Sequence, residues 1–429
     1  MKKNYKFILL AILAIVYNVH TYAQVVGFNA KVTEYGQLKT VLGDNWNKID
    51  SLSVTGPINA TDFKTLWECA FYGSLNVINL ENAQVENYKI PDWAFYDSDK
   101  QFWEPDYGII HLNIRKIILP DNIEEIGYSA FSRLNIEEIN LPASLRKLDM
   151  YSFAYCYKLK TDVIIPDGVT DIPVACFLSC QSFKKLVLPS SVRFIEDFAF
   201  ENTRIEEIEF SEGLEKIGMS TFAGSYFTKL ILPNSCKEIG TFAFSSSYFL
   251  KEIRLPEGLK KIPENLVSSS VELENVYIPE SVEEIGNYAF QSCNNLKNIF
   301  SLSPTPPYCA YNSVFSGTNS DKVTVYVPVG SAELYRNAQG WNNFTNFIET
   351  ENFPSSSIKE LSYTAKSKVY YSGNSLIIDT NNTAQKEYWV FSFDGKLISQ
   401  GITISSHTEL HIPKGLYIVK VGNDVHKIR

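Results

Sequence analysis

The chain has 429 residues, 45% of them hydrophobic and 20% charged, and its formal net charge is −9. This length and composition are typical of several compact domains or of one long repeat array. The acidic, evenly mixed charge argues against nucleic acid and against anionic membranes as partners, because both need basic patches.

The N-terminal segment has the three parts of a secretion signal. Three lysines form a basic start, an apolar run follows from Phe7 to Val16, and Thr21 and Ala23 supply the small residues of a cleavage site. We therefore predict a signal peptide over residues 1–23 and an exported protein. The apolar run is too short to span a bilayer, and no later stretch is long and apolar enough, so no membrane span is expected.

Residues 24–90 predict an N-terminal cap followed by degenerate repeats. Four apolar residues spaced over 38–46 favour a capping helix within 24–50. Short apolar runs at 52–54 and 77–80 are degenerate strands. The regular repeats are therefore expected to begin after this region.

One pattern then recurs eight times between Pro120 and Phe290, at spacings of 22–24 residues. A period in the low twenties with apolar residues in fixed slots is typical of a solenoid. The copies, counted at the slot that usually holds proline, start at Pro120, Pro142, Pro166, Pro189, Ser211, Pro233, Pro256 and Pro279.

The fourth copy shows how one repeat is expected to fold. Leu186 and Leu188 alternate as inward side chains of a short strand, and Pro189 ends the strand because it has no N–H to donate. Further apolar residues and a phenylalanine follow over 192–200. Burying five or six such side chains yields roughly 10 kcal/mol, less than the cost of ordering some twenty residues at about 1–2 kcal/mol each. A coil is therefore stable only when it is stacked.

A stacked array also needs covered ends. Residues 323–348 predict the terminal cap, with a strand that ends at Pro328 and a short helix from Ser331. This helix is expected to bring Leu334, Tyr335 and Trp341 onto the last coil.

The cysteines follow the repeat as well. Most of them stand in slots where other copies have small or apolar residues, which predicts buried structural thiols. The alternative is a disulfide between stacked coils, with Cys156 and Cys180 as the best-placed pair. Their slots would lie about 5 Å apart, which suits a disulfide, and export would favour it.

An insertion interrupts the first part of the array. The stretch from Phe95 to Pro120 is longer than in other copies, and its surplus contains the candidate binding residues Phe102, Trp103 and Tyr107. Loops on a rigid scaffold often carry function, and exposed aromatic rings suit sugar or protein surfaces. The alternative is a lid whose aromatic side chains pack on the neighbouring coil.

Two columns of side chains are expected to face outward from the strands. One largely alternates in charge, from Lys116 and Glu138 to Lys229 and Glu252, which favours cross-strand pairing. The other is mostly apolar, and contiguous exposed apolar area suggests a partner surface. The alternatives are that strand propensity selected these residues or that a loop covers them. The candidate binding residues of this column are Ile118, Ile164, Val187, Ile231, Arg254, Tyr277 and Phe300.

At these residues the chain resembles the BspA-like leucine-rich repeat proteins, a bacterial surface family common in Bacteroidetes. The consensus LP-x-x-V-x-x-I-G-x-x-A-F-x-x-C-x-x-L is legible over 188–250 and again over 278–296. The resemblance assigns the repeats and their terminal cap to residues 91–348. It implies a β-rich leucine-rich repeat solenoid of short parallel strands that is extracellular, is not an enzyme and adheres to host protein or to other cells.

The tail is a separate unit. Residues 349–362 are a predicted linker, and six β-rich runs within 363–429 predict a small antiparallel β-sandwich, with Asp394-Gly395 as a hairpin turn. The run from Ile412 to Val419 and the C-terminal Lys427-Ile428-Arg429 resemble the type A sorting domain of the type IX secretion system. That likeness implies contact with the secretion machinery and a place on the cell surface. A plain β accessory domain is the alternative.

Catalytic motifs do not emerge from the sequence. It has no Gly-rich phosphate loop and no nucleophile elbow, and His407, Glu409 and His411 share a strand face without a further metal-anchoring motif. We therefore predict a secreted or cell-surface binding or adhesion protein without catalytic residues, metal or cofactor. Its solenoid face would recognise a host or bacterial surface protein or glycan. The alternatives are glycan capture by the insertion loop and a structural surface protein without a soluble ligand.

Overall fold

The computed structural model of the chain describes residues 27–95, 112–354, 368–372, 375–380, 387–392, 397–403, 407–413, 417–421 and 424–428. The chain divides into two compact units, Met1–Ser356 and Ser357–Arg429. The predicted signal peptide, the aromatic insertion residues and the Asp394-Gly395 turn lie outside the described residues.

The first unit is a solenoid whose coils stack through short parallel strands, as the repeat predicts. Inward side chains of these strands, such as Ile117, Leu186 and Ile253, are fully buried. We call this column of strands the first ladder. Its strands are β1 Gly27–Lys31, β2 Ser51–Ile58, β3 Val77–Val85, β5 Lys116–Ile118, β7 Glu138–Ile139, β9 Val163–Ile164, β11 Lys185–Val187, β13 Glu207–Glu209, β15 Lys229–Ile231, β17 Glu252–Arg254, β19 Asn275–Ile278, β21 Asn298–Ser301, β23 Thr324–Val327 and β24 Asn346–Glu349.

A second ladder runs along the isoleucine slot of the repeat, and the sequence pattern had not predicted strands there. Most of its strands contain a charged or polar residue followed by a buried isoleucine, and they also pair in parallel. Two residues are too few for an alternation to be recognised in a sequence. The strands of this second ladder are β4 Lys89–Ile90, β6 Glu125–Ile126, β8 Lys147–Leu148, β10 Asp171–Ile172, β12 Phe194–Ile195, β14 Lys216–Ile217, β16 Glu238–Ile239, β18 Lys261–Ile262, β20 Glu284–Ile285 and β22 Tyr308–Cys309.

The remaining side of each coil consists of tight turns around the slot phenylalanine. Phe200 is flanked two residues away on each side by Phe198 and Asn202, whose φ values are 59° and 55°. The same pair of left-handed positions recurs in most coils, although glycine fills few of them. This backbone aims the phenylalanine inward, where it is fully buried, and turns its N–H toward the next coil, so that Phe200 donates to the Thr221 carbonyl at 3.0 Å.

One junction between coils differs from the others. Within the described solenoid, β7 does not pair with β9 and β8 does not pair with β10, so both ladders stop at the same place. The Asn140 amide turns back to the preceding coil, where it accepts from the Leu119 N–H at 2.7 Å and donates to the Leu119 carbonyl at 3.1 Å. The turn side stays continuous there, because Phe153 still donates to the Cys176 carbonyl at 2.9 Å.

The predicted capping helix within 24–50 is present but short. It is α1, Leu38–Leu42, and it is preceded by β1, which pairs with β2. A longer helix, α2 Ala60–Phe71, was not predicted, and Asp62 ties it to α1. The buried Asp62 carboxylate accepts from the backbone N–H groups of Gly36, Leu38 and Asn59 at 2.7–2.9 Å. The Asp62 carboxylate therefore caps the start of α2 and joins it to the backbone that leads into α1.

The C-terminal end of the solenoid is covered largely as predicted. Helix α3, Ala332–Asn337, places Tyr335 in the core, and Trp341 behind it is also fully buried. The prediction for Leu334 was wrong, because its side chain is 53% exposed on the outer face of α3. The short 3-10 turns of the unit are Gly43–Asn45, Glu86–Tyr88, Asn312–Phe315 and Ser320–Lys322.

The second unit has two small antiparallel sheets, in agreement with the predicted fold class. Leu376, Ile378, Val390 and Val419 form part of its buried core. Six of its strands were predicted and the last was missed. They are β25 Lys368–Ser372, β26 Ser375–Asp379, β27 Glu387–Ser392, β28 Leu397–Ile402, β29 His407–Leu410, β30 Tyr417–Val421 and β31 Asp424–Ile428.

Candidate functional site

The charged column on the outer face of the first ladder pairs across strands, which confirms the prediction. Because stacked residues lie directly opposite one another, side chains of opposite charge meet on neighbouring coils. The ion pairs along this column are Lys116–Glu138 at 2.7 Å, Lys185–Glu207 at 3.8 Å and Lys229–Glu252 at 3.0 Å. All are at least partly exposed, so each contributes about 0–1 kcal/mol. The charged column therefore contributes little to the stability of the fold.

The seven candidate residues of the second column lie on three separate sheets. Ile118 is on the first sheet, Ile164 and Val187 are on the next, and the other four are on the last. Ile164 is 61% exposed, whereas Tyr277 is only 7% exposed. The other five are partly exposed. The structure therefore brings together only part of the set, and a role of these residues in binding stays a prediction.

The last sheet carries a stack that runs through the C-terminal members of the column. The Arg254 guanidinium lies over Tyr277 at 4.2 Å, and Phe300 stacks on Tyr277 at 4.6 Å. Tyr326 continues the stack on Phe300 at 4.7 Å, with an angle of 16° between the rings. Arg254 is also held by Glu252 at 2.8 Å. Burial, assisted by the Glu252 carboxylate, raises the pKa of Tyr277, so its hydroxyl stays protonated at neutral pH.

Sequence reasoning missed the last two members of this column, Tyr326 and Ile348. Strand pairing sets Tyr326 beside Phe300 and Ile348 beside Tyr326. The repeat consensus is lost after residue 300, so its slots could not extend the column. The usable signal was the alternation within the predicted cap strand, where Tyr326 stands between the inward Val325 and Val327.

The outward positions of the last four strands form a surface that we call the charge-free patch. Beside the rings runs a column of amides and a hydroxyl: Asn298 donates to Asn275 at 2.8 Å, and Asn346 donates to Thr324 at 2.7 Å. None of these outward side chains is ionisable near neutral pH, in contrast to the coils before them. The patch consists of Asn275, Tyr277, Asn298, Phe300, Thr324, Tyr326, Asn346 and Ile348.

Of the other candidate groups, the insertion rings lie outside the described residues, the cysteines are buried, and Glu409 and His411 are exposed. The insertion rings are those of Phe102, Trp103 and Tyr107. All seven cysteines are free and buried, which confirms structural thiols, and the Cys156–Cys180 disulfide is not formed. Burial raises the pKa of Cys176, Cys236 and Cys293 to about 12, so these thiols are protonated and unreactive. In the part of the chain that the structure describes, no group of His, Cys, Asp and Glu side chains is arranged to hold a metal ion.

The repeat itself identifies the family. A model of the BspA type leucine rich repeat region matches the chain in six copies over residues 106–226 and 215–338, which together span more than half of its length. The chain belongs to the BspA-type leucine-rich repeat family. The BspA-type repeats thus supply the strands from β5 to β23, and only the last strand of the charge-free patch, β24, lies beyond the match.

Several solved structures are similar to this BspA-type chain. A leucine-rich repeat protein from Bacteroides ovatus is 20% identical over 76% of this chain and 92% of its own, with a TM-score of 0.46. A leucine rich cell surface protein from Faecalibacterium prausnitzii is 18% identical over 68% and 86%, with a TM-score of 0.31. The pneumococcal vaccine antigen PcpA is 18% identical over 71% and 80%, with a TM-score of 0.36. No curated protein is a match.

The helices of the described residues also bear on membrane insertion. They contain no helix that is both long and apolar enough to cross a bilayer.

Proposed function

We propose that this BspA-type protein is exported, is displayed on the outer surface of a Bacteroidetes cell, and binds a macromolecular partner through the outer face of its first ladder. The observation that carries this proposal is the apolar column on that face. Ile164 is exposed, and Phe300, Tyr326 and Ile348 stand in adjacent positions of one sheet. Contiguous apolar side chains on a regular sheet face favour a partner surface over a reaction site.

Export and display rest on the two ends of the chain. The basic, apolar and small-residue pattern of residues 1–23 supports a signal peptide. The similarity of 363–429 to a type A sorting domain supports delivery by the type IX system, and its two antiparallel sheets suit that assignment. In the proposal, these ends position the solenoid outside the cell and do not themselves bind the partner.

We propose binding without catalysis and without a cofactor. The described cysteines that a reaction would use as nucleophiles are buried and protonated, with pKa values raised by burial. The carboxylates of the first ladder are engaged in structural ion pairs. What the face offers to a partner is therefore shape and apolar contact.

Two measurements test the proposal. Protease treatment of intact cells should degrade the protein at the surface, and removal of 363–429 should leave it inside the envelope. The full chain should adhere to immobilised surface proteins or glycans, and Ile164→Asp combined with Ile348→Asp, at exposed side chains of both ends of the column, should abolish that adhesion. Protein that is protected from protease in cells, or adhesion that is unchanged in the double variant, would contradict it. Self-association without any other binding would instead identify a structural surface component.

A further inference from the structure

Two cysteines stack at the junction where both ladders stop. Cys156 and Cys180 each stand three residues after the slot phenylalanine of their coil, and these two coils lie on either side of that junction. Later coils hold Thr203 and Ser225 in this slot, and Cys293 has a serine and a threonine as its stacked neighbours. No other two neighbouring coils of the described solenoid have cysteine in the same slot.

The backbone around the pair holds the two side chains close together. Phe153 and Phe177 stack with their ring centroids 5.0 Å apart, and the Phe153 N–H donates to the Cys176 carbonyl at 2.9 Å. The Cys180 thiol donates to the Phe153 carbonyl at 3.1 Å, and the Cys156 N–H donates to this same carbonyl at 3.3 Å. Stacked backbones about 4.8 Å apart lie within the Cα separation of about 4.4–6.8 Å that a disulfide spans. A change of rotamer therefore brings the two sulfur atoms within bonding reach.

Forming that bond leaves no buried acceptor unpaired. The Cys156 thiol donates to the Phe131 carbonyl at 3.1 Å, but the Leu134 N–H also donates to this carbonyl, at 3.3 Å. The Phe153 carbonyl likewise keeps the Cys156 N–H when the Cys180 thiol turns away. Because a buried acceptor is costly chiefly when it loses its last partner, both thiol hydrogen bonds can be replaced by one covalent bond.

A third thiol, Cys176, lies nearby but has no cysteine as a stacked neighbour. The neighbouring coils hold Ser152 and Ala199 in its slot, and its sulfur is 3.2 Å from the Ser152 hydroxyl oxygen. Burial raises the pKa of Cys180 well above its ordinary value, and the adjacent Cys156 thiol raises it further. A buried, protonated thiol exchanges slowly, so oxidation requires the junction to open or occurs before the two coils dock.

We propose that Cys156 and Cys180 form a redox-dependent cross-link, reduced in this structure and converted to a disulfide by a disulfide-donating oxidant. The thiolate of one cysteine attacks the donor disulfide and releases one donor thiol. The second cysteine attacks the resulting mixed disulfide, which forms the bond between the coils and releases the other donor thiol. Two electrons pass from the cysteines to the donor, and the two cysteine protons end on the released thiols.

This inference goes beyond the proposed function, because it concerns how the stack is held together and not which partner it binds. Export supports it, since disulfides form and persist in oxidising compartments. A disulfide reduces the number of open conformations available to the segment that it closes. The oxidised solenoid should therefore open less often at this junction, where neither ladder supplies strand pairing.

The experiment treats the full mature chain with oxidised glutathione and, in parallel, with excess dithiothreitol. Peptide mass spectrometry without reduction should find Cys156 and Cys180 in one disulfide-linked pair of peptides after oxidation. Hydrogen exchange at the amides of Phe153 and Tyr155, which donate across the junction at 2.9 and 2.7 Å, should then be slower by about tenfold or more. The Phe222 amide, which bridges two later coils, should exchange equally in both forms.

Serine variants supply matched controls. Cys180→Ser gives this slot the residue that Ser225 and Ser247 provide in other coils, so the variant should fold. It should lose both the linked peptides and the effect of oxidation on exchange. Cys293→Ser changes the same slot in a coil whose neighbours have no cysteine there, and it should keep both.

Three results would overturn the inference. The native chain could stay reduced in an excess of oxidised glutathione, or Cys156 could be found linked to Cys176 instead. A linked chain whose Phe153 and Tyr155 amides exchange as fast as in the reduced chain would also contradict it. None of these results changes the expected adhesion, so failure of the cross-link is distinguishable from failure of the proposed function.

Discussion

The rings of Phe153 and Phe177 are parallel, and their centroids are 5.0 Å apart. These residues hold the same slot in consecutive coils, and the next pair, Phe177–Phe200, repeats the arrangement at 5.4 Å and 3°. The stack bridges the junction at which both ladders stop, so it carries much of the contact between those two coils. Its members are among the most deeply buried side chains of the solenoid.

Removing one ring from this stack should be costly. Phe177→Ala leaves a cavity between two neighbouring rings, and we expect the free energy of unfolding to fall by about 3–5 kcal/mol. Urea denaturation followed by circular dichroism measures the change. Tyr248→Ala, at an exposed ring, is the matched control and should stay within about 0.5 kcal/mol of the parent. Equal effects of the two substitutions would mean that the slot phenylalanines do not hold the coils together.

A column of buried hydroxyls offers a stabilising substitution. Ser225, Ser247 and Ser270 are fully buried, and their hydroxyls have no hydrogen-bond partner among the described residues. In the same slot of other coils, the longer cysteine side chain reaches back to the preceding coil, as Cys180 does to the Phe153 carbonyl at 3.1 Å. Ser247→Cys should therefore raise the free energy of unfolding by about 1 kcal/mol.

The alanine variant separates the two causes of that gain. Ser247→Ala removes the unsatisfied hydroxyl without adding a thiol donor. If Ser247→Cys is more stable than Ser247→Ala, the difference in stability is the contribution of the thiol hydrogen bond. Thermal melts under reducing conditions measure all three chains. A cysteine variant that melts below the parent would show that the slot has no room for sulfur.

The left-handed turn positions predict opposite effects of opposite substitutions. Gly224, with φ 78°, and Ser246, with φ 55°, occupy the same slot of adjacent coils. Gly224→Ala forces a side chain into a left-handed backbone and should cost about 1–2 kcal/mol. Ser246→Gly removes such a penalty, offset by about 0.5–1 kcal/mol of backbone entropy, so its stability should equal or slightly exceed that of the parent. The denaturation midpoints of the two variants, compared with that of the parent, measure both effects. A Gly224→Ala variant that is as stable as the parent would contradict the turn geometry.

A three-residue charge cluster on the second ladder predicts a pH dependence. Glu125 lies between Lys89 at 2.9 Å and Lys147 at 3.0 Å. Burial would raise the pKa of Glu125, but the hydrogen bonds from the two lysines outweigh it, and the pKa lies below its ordinary value. A carboxylate with a lowered folded pKa stabilises the fold above its unfolded pKa of about 4.3, and this contribution disappears as the pH falls through the folded value.

Glu125→Gln should therefore reduce stability at pH 7 and lose its effect progressively below about pH 4. Melting temperatures of parent and variant across this range measure the difference. Glu280→Gln, at an exposed carboxylate that forms no ion pair with any described residue, serves as control and should show no such trend. A difference in melting temperature between the parent and Glu125→Gln that grows as the pH falls would contradict a lowered pKa of Glu125.

Most of the solenoid could be predicted from sequence because each slot contributes one large inward side chain at a fixed period. Leu186, Ile195 and Phe200 are fully buried for that reason. The second ladder was missed because strands such as Phe194–Ile195 contain a single inward residue. The paired left-handed turns were missed because residues as different as Phe198 and Asn202 occupy them, and it is the stacking of coils, not residue type, that imposes the conformation.

The candidate site was only partly predictable. Strand alternation in the sequence predicts which residues form the outward column. The contact between Tyr277 and Arg254, however, depends on how neighbouring coils are stacked. Tyr326 and Ile348 follow from strand pairing in the cap, where the repeat no longer gives the register. The predicted N-terminal helix is present as the short Leu38–Leu42, but the Asp62 carboxylate that accepts from Gly36 and Leu38 at its start comes from far along the chain and could not be predicted.

The coil junction where Asn140 turns back on Leu119 has a mechanical consequence. When the solenoid is pulled at its two ends, tension runs along its stack. At every other described junction at least one row of strand hydrogen bonds shares that load, whereas here the phenylalanine rings and the turn-side bonds carry it with little help. Under tension, the solenoid would separate first at this junction. The coils on either side would stay folded while the junction opens.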